Sequence, residues 1–357
     1  MESKVWVLGG TGRAGREVAA QLVERGVHPV LVGRNAARLA EVAARVPGAT
    51  TVAAASTDEM AERIRHERPD VVINTVGPFA ETALPLVRAC LPTTHYVDLA
   101  NDVDALSALL DLGEEAAAAD RTLVSGAGFG VAATESVVVK LCEGRPPAAD
   151  VRVDMLPSLG MEDGQVGEAL AATLVDGLAS PGRSRGGLAA PRLGDQPMTL
   201  TLPDGSQVKT AGLPLGELVA AHRASGAPSV ISASSEAPTS PTVRAVLPLG
   251  VALLRIHAVR SFAKRRLAQV RVKARERPRE HSWGHARVRW ADGSTREGWL
   301  RTGDAQIFTG ALAAEVAKRL AAGEGRPGAY TPAALFGPTL VESCAAVHLA
   351  PGELNPR

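Results

Sequence analysis

The sequence predicts an α/β protein: a doubly wound parallel sheet in the N-terminal part, followed by a second, α+β domain that contains an antiparallel sheet. Three observations carry this reading. Short apolar runs alternate with helical patterns from Val5 to Cys142, a glycine-rich turn follows the first of those runs, and the alternation stops near Asp150. Beyond that point Asp204-Gly205 and Asp292-Gly293, each set between alternating runs, mark antiparallel hairpins.

Val5 to Leu8 is apolar enough for a buried strand, and Gly10, Gly12 and Gly15 then supply Gly-x-Gly-x-x-Gly ahead of a helix over Arg13 to Arg25. Gly10 is expected to make the tight turn, Gly12 to let phosphates approach the backbone, and Gly15 to let the helix pack on the sheet. Gly10, Thr11, Gly12, Arg13, Ala14 and Gly15 are therefore candidate pyrophosphate contacts at a helix N-terminus, where the N–H groups and the dipole favour an anion. The second strand, Pro29 to Gly33, ends at Arg34 and Asn35. A ribose 2′-hydroxyl calls for Asp or Glu there, and no acidic residue lies between Glu24 and Glu41, whereas an arginine suits a 2′-phosphate. Arg34, with Asn35 beside it, predicts NADP(H). The alternative is an arginine that only caps a solvated loop.

Asn35 is also placed to cap a helix over Ala36 to Arg45. A weak third strand, Thr50 to Ala54, and a helix from Thr57 to about Arg68 follow, and the β-branched run from Val71 to Val76 reads as a central strand. Asn74, Thr75, Val76, Gly77 and Pro78 leave its carboxyl end, the side on which ligands bind in such sheets. A helix over Ala80 to Cys90, a strand from His95, a helix over Asp102 to Asp120 and a sixth strand over Arg121 to Ser125 complete the Rossmann pattern. The turn from Gly126 to Gly130 then places Gly126 and Phe129 toward the other end of the dinucleotide. Candidate catalytic groups are Tyr96 and Asp98, which share one side of the fifth strand, and Glu135 in the next helix. Each has a structural alternative: packing for Tyr96, capping for Asp98, and complementing the helix dipole for Glu135.

Gly9 to Gly15, Val71 to Phe79, Ala89-Cys90 with His95 to Asp98, and Gly126 to Gly130 together resemble the saccharopine dehydrogenase-like NAD(P)-binding family. Arg326 to Ala333 and Phe336 to Pro338 resemble its C-terminal return segment. The resemblance implies a cofactor domain over 1–149, an α+β substrate and dimerisation domain over 150–325, and a segment 326–357 returning to the first. It also implies hydride chemistry on C=N bonds or, in related branches, on other unsaturated bonds. The expected activity is NADP(H)-dependent reduction of an imine in a small molecule. An enoyl or ketone group, free or carrier-bound, is the alternative acceptor, and a non-catalytic NADP(H) sensor is the competing class. The Tyr-x-x-x-Lys pair of short-chain dehydrogenases is absent, because Tyr96 is followed four residues later by Ala100 and Tyr330 by Ala334.

In the second half, Val151 to Leu156 reads as a strand, Gly167 to Leu178 as a helix, and 180–197 as a glycine- and proline-rich loop. Hairpins over Met198 to Lys209 and Ala286 to Leu300 build the antiparallel sheet, which by analogy of fold covers the nicotinamide end with one face and forms a homodimer through the other. No acidic residue lies between Glu236 and Glu276, a stretch that carries Arg244, Arg255, Arg260, Lys264, Arg265, Arg266, Arg271, Lys273 and Arg275. Its front, Val246 to Val259, is apolar. Three readings are open: a buried or dimer-interface helix, docking of an acidic carrier protein at 255–275, or contact of that segment with an anionic membrane surface. His281 and His285 open a strand better than they form a metal site, so no metal is predicted. Asp304 is placed to cap a helix over Gln306 to Leu320. A net charge of +1 speaks against a protein devoted to nucleic acid. Cys90, Cys142 and Cys344 are scattered free thiols, and neither a signal peptide nor a transmembrane run is visible, so the expected location is the cytoplasm.

Overall fold

The computed structural model describes residues 3–160, 164–165, 171, 175, 193–240, 250–254, 256–274 and 276–350. Most of the expected helix over 167–178, most of the loop 180–197, the front of the apolar stretch at 246–249, and Arg244, Arg255 and Arg275 lie outside the described residues. The chain forms two compact units, Met1–Ala132 with Ala305–Ala345, and Ala133–Asp304 with Ala346–Arg357.

The first unit is built on a parallel sheet of β1 (Val5–Leu8), β2 (Pro29–Gly33), β3 (Thr50–Ala53), β4 (Val71–Asn74), β5 (His95–Asp98), β6 (Thr122–Val124) and β15 (Gly328–Tyr330). Its order is β15-β6-β5-β4-β1-β2-β3, so the chain changes direction across the sheet between β1 and β4. Connections run through α1 (Arg13–Glu24), α2 (Ala36–Ala43), α3 (Thr57–Glu67), α4 (Phe79–Cys90), α5 (Val103–Leu110) and α6 (Gly113–Ala118). β1, β2 and β4 are buried along their whole length, as their continuous apolar runs require of central parallel strands. Where the pattern suggested one helix over 102–120 there are two. The break precedes Gly113, a poor helix former that packs beside Ala329 of β15.

A long helix, Ala305–Ala321, packs along α1 and over β4 and β5. A Cβ on Gly310 would stand 3.1 Å from the backbone carbon of Glu17, and Arg25 reaches Glu315 at 3.3 Å. The division implied by the sequence assigns this helix to the stretch 150–325, whereas here it lies in the first unit. Its apolar stripe of Phe308, Leu312, Val316 and Leu320 says that it is buried, and only close packing on α1 says where.

The second unit begins within α7 (Phe129–Cys142) and carries β7 (Asp150–Leu156), β8 (Gly164–Gln165), β9 (Met198–Thr201), β10 (Gln207–Gly212), β11 (Ser229–Ser234), β12 (Arg271–Val272), β13 (Ser282–Arg289), β14 (Thr295–Thr302) and β16 (Val347–Leu349). Seven of these form a sheet in the order β16-β14-β13-β7-β11-β10-β9, antiparallel throughout except for β7 beside β11. Both Asp-Gly hairpins form, with Gly205 and Gly293 at φ +84° and +81°. α7 lies on one face so closely that a Cβ on Gly284 would meet the Ala133 carbonyl oxygen at 2.6 Å. The other face is concave. Leu156 of β7 shares a core with Leu200 of β9, three strands away in the sheet, along with Leu202, Trp283, Trp299 and Leu349. Within the described part of the expected return segment, 326–350, β15 joins the first sheet, while β16 pairs with β14 and buries Leu349 beside the tryptophans. Among the described residues no helix is long and apolar enough to cross a membrane.

Candidate functional site

The glycine-rich turn joins β1 to α1 at the sheet's switch point, where Leu8 pairs with Val32 on one side and Asn74 on the other. Gly9, rather than Gly10, takes the left-handed conformation, at φ +79°, and a Cβ there would meet the Thr75 hydroxyl at 2.7 Å. The N–H groups of Gly9 and Gly10 both donate to the Val32 carbonyl, at 2.8 and 3.1 Å. Gly10 is confined instead by β2, since a Cβ would stand 2.9 Å from the Leu31 Cβ. Gly15 backs directly onto Gly9, and its missing Cβ is what lets α1 start this close to β1. Gly12 is exposed and caps α1 without a side chain, and a Cβ there would meet only the Gly9 oxygen, at 3.2 Å. Thr11, Arg13 and Ala14 complete the turn, with Arg13 exposed. No acidic residue enters the first turn of α1, so the positive end of its dipole stays uncompensated. These residues fit a dinucleotide pyrophosphate, because the cradle closes only where a Cβ is absent.

Arg34 and Asn35 are exposed just beyond β2. Asn35 accepts from the Arg38 N–H at 3.0 Å and so caps α2, while Arg34 forms no ion pair among the described residues. At the end of β4, Thr75 is tied to β1 by its hydroxyl, which donates to the Leu8 carbonyl at 2.7 Å. The N–H of Val76 donates to the Asn74 side chain at 2.9 Å, Gly77 and Pro78 are half-buried, and the peptide between them is cis. Beyond β6, Gly126 stands at φ +79°, and the Phe129 N–H donates to the Thr309 hydroxyl at 3.1 Å with the Phe129 ring edge-on to Phe308. The turn after β6 is thus anchored by the helix Ala305–Ala321, a link that local sequence does not reveal.

Tyr96 and Asp98 do share one side of β5, but both are fully buried. The Asn74 amide donates to the Tyr96 hydroxyl at 3.0 Å. The Asp98 Oδ1 accepts from the Ser125 hydroxyl at 2.7 Å, the Ala100 N–H at 3.1 Å and the Gly126 N–H at 3.2 Å. The cluster ties together the carboxyl ends of β4, β5 and β6. Glu135 is buried in α7, in the part of that helix that belongs to the second unit. Burial pushes the Asp98 carboxyl up to about 6 against the pull of its hydrogen bonds, and burial together with Asp98 pushes the Tyr96 phenol well above its ordinary range. A raised carboxyl stabilises the fold below the ordinary value of 3.8, and that contribution is lost as pH rises through about 6. Asp98→Asn keeps an Oδ1 acceptor and cannot ionise. Wild-type stability relative to this variant is expected to fall by about 2 kcal/mol between pH 4 and pH 7. Denaturant unfolding at both pH values checks this, and a pH-independent difference would show that Asp98 does not titrate in the fold.

The second unit holds a charged cluster that the sequence reading missed. Asp154 accepts from Arg152 at 2.9 Å, the Thr210 hydroxyl at 2.7 Å and His285 Nδ1 at 2.9 Å, while His285 Nε2 lies 3.1 Å from Glu297. The Trp299 ring covers the imidazole at 4.2 Å. Burial disfavours the imidazolium, but the hydrogen bonds and charges of Asp154 and Glu297 outweigh it and raise the His285 pKa. Burial likewise opposes ionisation of Asp154, and His285 and Arg152 overcome it to hold the carboxyl below its ordinary range. His281, weighed with His285 as a metal pair, sits outside β13, and among the described residues no cluster of His, Cys, Asp or Glu could hold a metal ion. The available signal was Arg152-x-Asp154 on a strand, which by period alone reads as a solvated face.

The parallel sheet, its switch point and the glycine cradle define a Rossmann-type dinucleotide-binding fold. With the second, largely antiparallel unit, the fold is saccharopine dehydrogenase-like: apo saccharopine dehydrogenase (L-Glu forming) of Saccharomyces cerevisiae matches 98% of this chain and 100% of its own at TM-score 0.59 and 13% identity. A trans-acting enoyl reductase of Mycobacterium leprae (strain TN) is 34% identical over 137 residues, 36% of this chain, and the match spans only 32% of that protein. A short-chain dehydrogenase of Streptomyces avermitilis matches 34% of this chain and 64% of its own at TM-score 0.29 and 19% identity. No family model matches the chain.

Proposed function

We propose that the chain is an NADP(H)-dependent oxidoreductase that reduces a polarised double bond in a small molecule. The observation that carries this is the turn at Gly9 to Gly15, whose closed backbone and uncompensated helix end suit a pyrophosphate. Arg34, exposed at the end of β2 with no acidic residue between Glu24 and Glu41, supports a 2′-phosphate. A bound nicotinamide supplies the hydride. Asp98, Tyr96 and Asn74 act as positioning residues that hold the loops after β4, β5 and β6. The saccharopine dehydrogenase-like resemblance supports a C=N acceptor. The M. leprae relative, named an enoyl reductase, supports an enoyl acceptor as the second reading.

One series of measurements tests both halves of the reading. In fluorescence titrations the wild type is expected to prefer NADPH to NADH. Arg34→Ala should weaken NADPH by about 10- to 100-fold, the worth of a charge-assisted hydrogen bond, and leave NADH nearly unchanged. Equal affinities in the wild type would sink the NADP assignment. Loss of nicotinamide absorbance is then followed with a panel of cyclic imines, enones and ketones. The acceptor that is consumed identifies the bond reduced, and no loss with any of them would favour a non-catalytic NADP(H)-binding protein.

A further inference from the structure

We infer that residues 250–254 and 256–274 form a docking surface for an anionic phospholipid bilayer, an inference independent of the reaction proposed above. None of the described residues in this segment whose side chains can be placed is buried, and the helix His257–Ala268 buries no residue at all. A helix of 12 residues is marginal in water on its own and is ordinarily held by packing an apolar face. In this one the apolar side chains are at most half-buried: Val259, Ala263 and Leu267 are partly covered, while Ala258 and Phe262 are exposed. At helical spacing Ala258, Phe262, Val259 and Ala263 fall on one side, with Arg266 among them, and His257, Arg260 and Lys264 on the other.

The exposed apolar side chains are concentrated here. Of the seven large hydrophobic residues exposed among the described residues, four lie within this segment: Leu253 (48%), Ile256 (53%), Phe262 (59%) and Val270 (47%). Cations are set among them. Arg260, Arg265, Arg266, Arg271 and Lys273 form no ion pair among the described residues, and the sequence offers them no acid between Glu236 and Glu276. The Arg266 guanidinium lies 5.8 Å from the centre of the Phe262 ring, so charge and apolar surface occupy the same patch.

That combination separates a lipid surface from an acidic protein. An acidic partner is satisfied by the cations alone and leaves Leu253, Ile256 and Phe262 unexplained, whereas a bilayer interface takes both. Apolar side chains enter the acyl boundary while arginines reach back to phosphate headgroups along their aliphatic stems.

The test uses the full chain and two kinds of vesicle, one of phosphatidylcholine alone and one of equimolar phosphatidylcholine and phosphatidylglycerol. Co-sedimentation is expected with the second only, weakening as salt is raised. Arg265→Glu with Arg266→Glu should lower partitioning by more than about 100-fold, since four units of charge change near the surface. Phe262→Ser should lower it by about tenfold, through lost apolar burial. Unchanged thermal midpoints in both variants show that the fold is intact; if either variant unfolds, charge-neutral Arg265→Gln with Arg266→Gln and Phe262→Leu replace them, expected to bind more weakly and about as well, respectively. No binding to the anionic vesicles overturns the inference. So does full binding by Phe262→Ser, which would make the surface a purely electrostatic site suited to an acidic protein.

Discussion

Gly15→Ala is expected to abolish measurable dinucleotide binding and to destabilise the first unit by about 3 kcal/mol, the upper range for a forced overlap in a packed core. The added Cβ would stand 2.8 Å from the Gly9 carbonyl carbon and 2.9 Å from the Gly10 Cα, both backbone atoms that cannot rotate aside. Gly9 is itself held at φ +79° with Thr75 behind it, so the strain passes to α1 and tilts the N–H groups at its start. Gly12→Ala is the matched control. Its Cβ meets only the Gly9 oxygen at 3.2 Å, so the fold should persist while phosphate approach is blocked. NADPH titration with thermal unfolding of both variants separates the two effects. Wild-type affinity in Gly15→Ala would remove the turn from the binding site.

In the second unit, Asp154→Ala should cost about 4 kcal/mol, because it leaves the Arg152 and His285 cations buried without the carboxylate between them. The cluster also shapes the pH profile. His285 has a raised pKa, so its contribution is complete below the ordinary value of 6.5 and is lost as pH rises through the raised one. Asp154 and Glu297 are lowered, so theirs are complete above their ordinary values of 3.8 and 4.5 and are lost as pH falls through the lowered ones. The unit is therefore expected to be most stable between these limits. His285→Gln should remove the loss on the alkaline side while the acid limb remains. Thermal midpoints across the range check this. An unchanged alkaline limb in His285→Gln, or a mild effect of Asp154→Ala, would mean that the imidazole is neutral in the fold.

The candidate site was legible to the extent that it is local. The spacing of Gly10, Gly12 and Gly15, the absence of an acid after β2 and the polar exit from β4 at Asn74 are all relations between near neighbours, and the structure keeps them together. The division of labour within the turn was not legible. Gly9 carries the left-handed conformation because Thr75, 66 residues later in the chain, closes over it, and Gly10 is confined by Leu31 of the next strand. Tyr96 and Asp98 were placed on one side of β5 correctly by period, yet their burial depends on Asn74 and Ser125 from the strands either side.

Apolar period and turn chemistry act over a few residues, and they suffice for the α/β class, the parallel strands β1 to β6, the position of the glycine-rich turn and the two hairpins. Long-range packing sets the rest: the helix Ala305–Ala321 and β15 complete the first unit, β16 completes the second sheet, and Arg152, Asp154 and His285 form an enclosed cluster. Period tells a strand that one of its faces differs from the other. Whether the charged face meets water or another curled strand is set by residues far away in the chain.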